Sequence, residues 1–173
     1  MSMIQTEDHA HLARVTASAR QPEQILSAVA EVARQRLGFG LLTMLKLTPD
    51  GDEVQRIFTT DPQNYPVSGR ERLGLTDWGR HVLIDQRPFL GPDRKAVSWA
   101  FPADCDLIFS LGLGSTMNLP VTALGKTLGS LNILHAEGKH GLSHLDAAMT
   151  LIPYLAVPFL AAGGSDGAVD TWR

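Results

Sequence analysis

This chain has one cysteine, few aromatic residues and no strong excess of either charge. With Cys105 alone, no internal disulfide can form, which fits a reducing compartment. Lys and Arg number 15 against 18 Asp and Glu, a net charge of −3. Tight basic groups include Arg70 with Arg72 and Arg94 with Lys95. Such pairs are ordinary solvated loop charges, so the clustered basic face that nucleic acid requires is missing. No uninterrupted apolar run reaches membrane-spanning length, and the opening MSMIQTEDHA lacks the basic-then-apolar layout of a signal peptide. A cytoplasmic protein is expected, with neither nucleic acid nor membrane as a partner. No Gly-rich phosphate loop follows a strand, since Gly112-Leu113-Gly114 precedes one, which argues against nucleotide binding by that route. The 173 residues suffice for one domain with its own core.

The most informative stretch runs from Ser115 to His135. It reads as two strands around a Gly turn, each with two unlike faces. Met117, Leu119 and Val121 alternate with Thr116 and Asn118, and Leu131 and Ile133 alternate with Ser130 and Asn132. Residues opposite each other in a hairpin share a face. A turn centred on Gly125 sets Leu119 against Leu131, Met117 against Ile133 and Asn118 against Asn132. A half-step shift would mix the faces, so the pattern selects an odd-length loop. One face is then a dry core, and the other carries neutral polar groups that are either wet or the floor of a pocket.

The rest of the chain supplies the cover. The spacing suggests a short helix over His9 to Arg20. Pro22, then Ile25, Leu26, Val29, Val32, Ala33 and Leu37, has the period of an amphipathic helix ended by Gly38. Phe39 to Thr48 and Glu53 to Thr60 read as strands around the turn Pro49-Asp50-Gly51-Asp52. Asp61 to Gly74 reads as loop. Thr76 or Asp77 can cap a helix to about Gln86, with Trp78, Val82 and Leu83 on one side. Phe89-Leu90 reads as a short strand, Gly91 to Pro102 as loop, and Ala103 to Leu111 as a short helix. Ser143 with Asp146 resembles a capping box before a last helix carrying Leu145, Met149, Ile152, Leu155 and Phe159, which Pro153 and Pro158 should kink or split. Three parts follow: an N-terminal extension or helix over 1–20, a main domain over 21–162, and a flexible tail over 163–173. Hairpin connections imply an antiparallel sheet in an α+β fold, with the long helices on its apolar face.

That order resembles a GAF domain. The resemblance rests on Leu119-Pro120-Val121, the Gly125 turn and Leu128-Gly129-Ser130-Leu131-Asn132-Ile133-Leu134-His135. It extends to Asp77-Trp78-Gly79 through Pro88 and to Leu151-Ile152-Pro153-Tyr154-Leu155-Ala156, roughly Pro22 to Ala162 in all. It implies a sheet with a bundle of terminal helices behind and a ligand cavity in front. GAF domains commonly bind small effectors, signal to an output domain and dimerise through their terminal helices. With no room for an output domain in 173 residues, the resemblance implies a module acting alone or on a separate output protein, and a homodimer.

The expected ligand-binding residues are Thr116, Asn118, Ser130 and Asn132 as a neutral polar floor, with Trp78, Trp99, Phe101 and Phe109 as an aromatic cover. The bland alternatives are a solvated sheet face and core-filling rings. No cofactor and no metal are expected, only an unidentified small effector. His140 and His144 are four apart, but Gly141 and the Ser143 cap between them argue against one metal-binding helix face. The GAF resemblance also raises a thiol route, that of the free methionine-(R)-sulfoxide reductases. That cycle needs a nucleophilic and a resolving cysteine. Only Cys105 is present, flanked by Asp104 and Asp106, and the subfamily's acidic binding positions are here Thr116, Asn132 and Leu134. The expected function is therefore a non-enzymatic sensory module. The alternatives are a dimeric scaffold without ligand, or a Cys105 redox enzyme.

Overall fold

The computed structural model describes residues 3–72 and 76–162. The tail expected over 163–173 lies outside the described residues. Among these residues the chain forms one six-stranded antiparallel sheet in the order β3-β2-β1-β6-β5-β4. The strands are β1 (Leu41–Leu47), β2 (Glu53–Thr59), β3 (Arg70–Arg72), β4 (Phe89–Gly91), β5 (Ser115–Ala123) and β6 (Lys126–His135). Helices α1 (Thr6–Ser18) and α2 (Pro22–Arg36) precede the sheet. Helix α3 (Asp77–Gly79) runs into a π-helical turn, Arg80–Ile84; α4 (Arg94–Ala100) and α5 (Cys105–Ser110) follow β4. The chain closes with α6 (Leu142–Met149), a 3-10 turn (Ile152–Leu155) and α7 (Ala156–Ala161).

The β5–β6 register is the one the hydrophobic pattern selects: Leu119 faces Leu131, Met117 faces Ile133 and Asn118 faces Asn132. The loop reaches it by another route than an odd turn. Leu124 and Gly125, at φ 52° and 75°, form a two-residue turn. The register then slips between Val121 and Thr122, leaving Leu128 as an extra residue on β6. A tight turn plus one bulge gives the odd count. Just beyond the bulge, Gly129 lets β6 close on β1, because a Cβ there would overlap the Leu45 carbonyl oxygen.

Behind the sheet, Met44, Met117, Leu119, Leu131 and Ile133 pack with Leu26, Val29 and Ala33 of α2 and with Leu151, Leu155 and Phe159. Arg36 of α2 pairs with Glu7 and Asp8 of α1 at 2.7 and 2.9 Å, which fixes α1 on this layer. Pro153, which cannot donate to a helical ladder, sits where α6 gives way to the 3-10 turn, and the two helical pieces are bent by 45°. The final helix is thus split, as its prolines suggest. Lys46 of β1 donates from Nζ to the carbonyl of Ala162 at its end. Among the described residues no single helix is long and apolar enough to cross a membrane.

Three local expectations need correction. Residues 91–102 are not all loop: Asp93 caps α4 through Oδ1, accepting from Ala96 N–H at 2.8 Å. The 61–74 segment contains β3, whose backbone completes the β2 edge. The last helix starts at Leu142 rather than after Ser143: Gly141 is the N-cap, and its N–H donates to Nδ1 of His144, in the first turn, at 3.2 Å.

Candidate functional site

Strand parity sends Thr116, Asn118, Ser130 and Asn132 to the front of the sheet, where Thr43 joins them from β1. This face is dry. Thr116, Asn118 and Ser130 are fully buried and Asn132 is 2% exposed. Buried polar groups need partners, and these supply one another. Thr116 Oγ1 donates to Asn118 Oδ1 (3.3 Å), and Asn118 Nδ2 donates to Asn132 Oδ1 (2.8 Å). Asn132 Nδ2 donates to Ser130 Oγ (3.2 Å) and Thr43 Oγ1 (3.5 Å). The result is a neutral ladder across the three central strands.

Two apolar clusters cover it. Trp78, Val82 and Leu83 of the α3 segment and Ala100 of α4 pack on Leu45 and Val54. Val97 of α4 and Ile108 of α5 pack with Tyr65, Leu113, Leu41 and Leu134. The Thr76 hydroxyl anchors α3 by accepting Gly79 N–H, and Thr127 Oγ1 donates to Leu83 O at 2.6 Å, tying the π-helical turn to β6.

Two cavities remain in this interface. The first, about 30 Å³, lies over the Thr43 and Asn132 end of the ladder between Leu41, Leu134 and Ile108. That is room for about two waters. Arg56 and Asp104 also line it; Arg56 is 7% exposed, lies over the Tyr65 ring at 5.2 Å and donates to Pro66 O. The second cavity, about 140 Å³, lies between Trp78, Ala100, Pro102 and Thr76. Leu45, Phe101 and Asp104 line both and form the partition. Trp78 is 3% exposed, and among the described residues its Nε1–H has no hydrogen-bond partner.

The eight expected site residues therefore fall into five places. Asn132 and Phe101 meet at the first cavity, and Trp78 and Phe101, with rings 5.7 Å apart, meet at the second. Thr116, Asn118 and Ser130 extend the ladder beneath the cover. Phe109 packs beside the Ile108 cluster under Arg94, whose guanidinium is 4.8 Å from its ring. Trp99 stands elsewhere, on the outer surface against Phe89.

Arg56, Tyr65 and Asp104 were not singled out from the sequence. Arg56 carried a signal: it is two residues from Val54 on the same strand, so its parity points inward. Tyr65 and Asp104 lie outside regular elements and carried none.

Cys105 opens α5, half-buried, with Sγ 3.5 Å from Pro102 O. The rings of His135, His140 and His144 are in series, with centroids 5.5 and 5.6 Å apart. No group of three such side chains among the described residues could hold a metal ion. His140 is buried, with Nε2 3.2 Å from Gly38 O, and burial lowers its pKa to about 4.

No protein-family model matches the sequence, and no curated protein matches it. Solved structures do. The chain is similar to the GAF domain from a phosphoenolpyruvate-protein phosphotransferase of Coxiella burnetii, at 19% identity over 94% of this chain and 95% of that one, with a TM-score of 0.70. The corresponding Acinetobacter domain gives 13% identity, 94% and 96% coverage and a TM-score of 0.71. The phycocyanobilin-bound GAF domain from a cyanobacterial phytochrome gives 20% identity, 89% and 94% coverage and a TM-score of 0.66. The sheet order, the two helical layers and these matches along nearly the whole chain agree: this protein has the fold of a GAF domain.

Proposed function

We propose that this chain is a sensory or regulatory module that binds a small effector beneath the α3–α5 cover and catalyses no reaction. The observation that carries this reading is the Trp78 Nε1–H, a buried donor on the wall of a cavity with no acceptor among the described residues. Leaving such a donor unmet costs about 1–3 kcal/mol, which an effector bearing a carbonyl or similar acceptor recovers. The ladder adds neutral polar contacts at Asn132 and Thr43, and the remaining walls are apolar.

Both cavities are smaller than the roughly 300–1,000 Å³ of ordinary ligand sites. The effector therefore binds by displacing Phe101, the partition between them, and moving α4 and α5. That coupling of occupancy to cover position is what a sensor needs, and a separate output protein would read it. Native mass spectrometry of the protein as purified tests the reading. A retained small molecule, absent from Trp78→Phe, supports it; a bare mass for the wild type overturns it.

A second reading, a scaffold that self-associates through its terminal helices, has one observation in its favour. Met149, Val157 and Leu160 on α6 and α7 are 36%, 52% and 62% exposed. A dimer at micromolar concentration that Leu160→Glu converts to monomer supports it, and a monomeric wild-type mass removes it.

A further inference from the structure

Trp99 is 43% exposed although it is the largest side chain on α4. It lies against Phe89 of the edge strand β4, with ring centroids 4.9 Å apart and planes tilted by 38°. His81 of the π-helical turn stands edge-on to both rings, at 81° and 89°, with centroids 6.0 and 6.4 Å away. The three rings form a corner rather than a stack. The corner opens on a surface groove of about 480 Å³, within the range of small-molecule sites.

The charges at the rim are unequal in availability. Asp93 also lines the groove and keeps its negative charge, with Oδ1 held at the α4 N-terminus by Ala96 N–H. Arg94 turns away over Phe109. Lys95 lines the groove and, among the described residues, makes no ion pair or hydrogen bond. His81 holds its place through Nε2, 3.3 Å from Pro88 O. The groove thus offers ring faces for stacking and one free ammonium group beside them.

We propose that the Phe89–Trp99–His81 groove is a second binding site, separate from the covered cavities, for a planar aromatic acid. The ligand ring lies on Trp99 and its carboxylate pairs with Lys95. An aromatic amine lacks that pairing, so charge sets the preference between two ligands of the same shape.

The test is a titration followed by the indole N–H resonances of Trp99 and Trp78, with indole-3-acetate, tryptamine and acetate as probes. Indole-3-acetate is expected to shift the Trp99 resonance saturably and leave that of Trp78 in place. Tryptamine should bind more weakly by up to about fivefold, the worth of one exposed ion pair, and acetate should cause no shift. Lys95→Gln should shrink the acid-over-amine preference below about twofold, and Trp99→Ala should abolish probe binding read from the ligand signals. The proposal is overturned by the absence of a saturable Trp99 shift, by equal binding of acid and amine, by a preference that survives Lys95→Gln, or by a shift at Trp78 instead.

Discussion

Replacing Asn132 by leucine separates a dry, self-satisfied ladder from a polar face that merely happens to be covered. The two side chains have nearly the same shape, so packing changes little. The hydrogen bonding changes a great deal. Asn132 accepts from Asn118 and donates to Ser130 and Thr43. Its loss strands the Asn118 amide in a place with no exposure and takes a donor from two hydroxyls, whose own O–H groups remain able to donate. A stranded buried amide costs about 1–3 kcal/mol, so Asn132→Leu should lose about 2–3 kcal/mol in urea unfolding at neutral pH. Asn118→Leu strands the Asn132 carbonyl and the Thr116 hydroxyl and should cost a similar amount. In the double variant the shared bond is removed once, from both ends. Its cost should therefore fall short of the sum of the single variants by about 1–2 kcal/mol. Single losses under about 0.5 kcal/mol, the range of surface substitutions, or strict additivity would refute the ladder as described.

Other expectations follow from particular groups. Because burial holds the His140 pKa near 4, below its ordinary 6.5, the native state binds fewer protons than the unfolded chain between those values. Stability should then fall by about 2 kcal/mol from pH 7.5 to pH 5 and level off below pH 4. His140→Gln should lose most of that slope in unfolding curves, and an unchanged slope would contradict the assignment. Gly129→Ala forces a Cβ onto the Leu45 carbonyl and should cost at least about 2 kcal/mol, whereas Gly125→Ala meets open space and should cost only about 1–2 kcal/mol of left-handed strain. Thermal or chemical denaturation of the pair checks the order. Trp78→Phe removes the orphaned donor while keeping most of the apolar volume, so its stability without effector should change by less than about 1.5 kcal/mol; a larger loss would mean that the indole N–H is already satisfied.

The central hairpin was legible because its pattern is binary. A period of two with apolar Met117, Leu119, Leu131 and Ile133 on one side leaves a single acceptable register, whatever the turn does. The turn itself was not legible. A bulge at Leu128 and an odd loop produce the same pairing, and nothing in the alternation distinguishes them. Helix α4 was missed because its seven residues bury only Val97 and the small Ala100, too little period to outweigh Gly91, Pro92 and Pro102 around it. The same ambiguity misplaced Trp99: in a loop it could fold over the sheet, but on a helix whose Val97 and Ala100 face inward it must face out. The ladder's residue types were readable, whereas the partnering that closes it depends on β1 contributing Thr43 from 89 residues away.

The Trp78 indole N–H resonance reports directly on effector binding in the Trp78 cavity. It should be recorded on the protein as purified and again after denaturation, removal of small molecules and refolding. A downfield, hydrogen-bonded position is expected before stripping, an upfield move afterwards, and return when the released low-mass fraction is added back. A resonance at the same position in all three samples would contradict effector binding there.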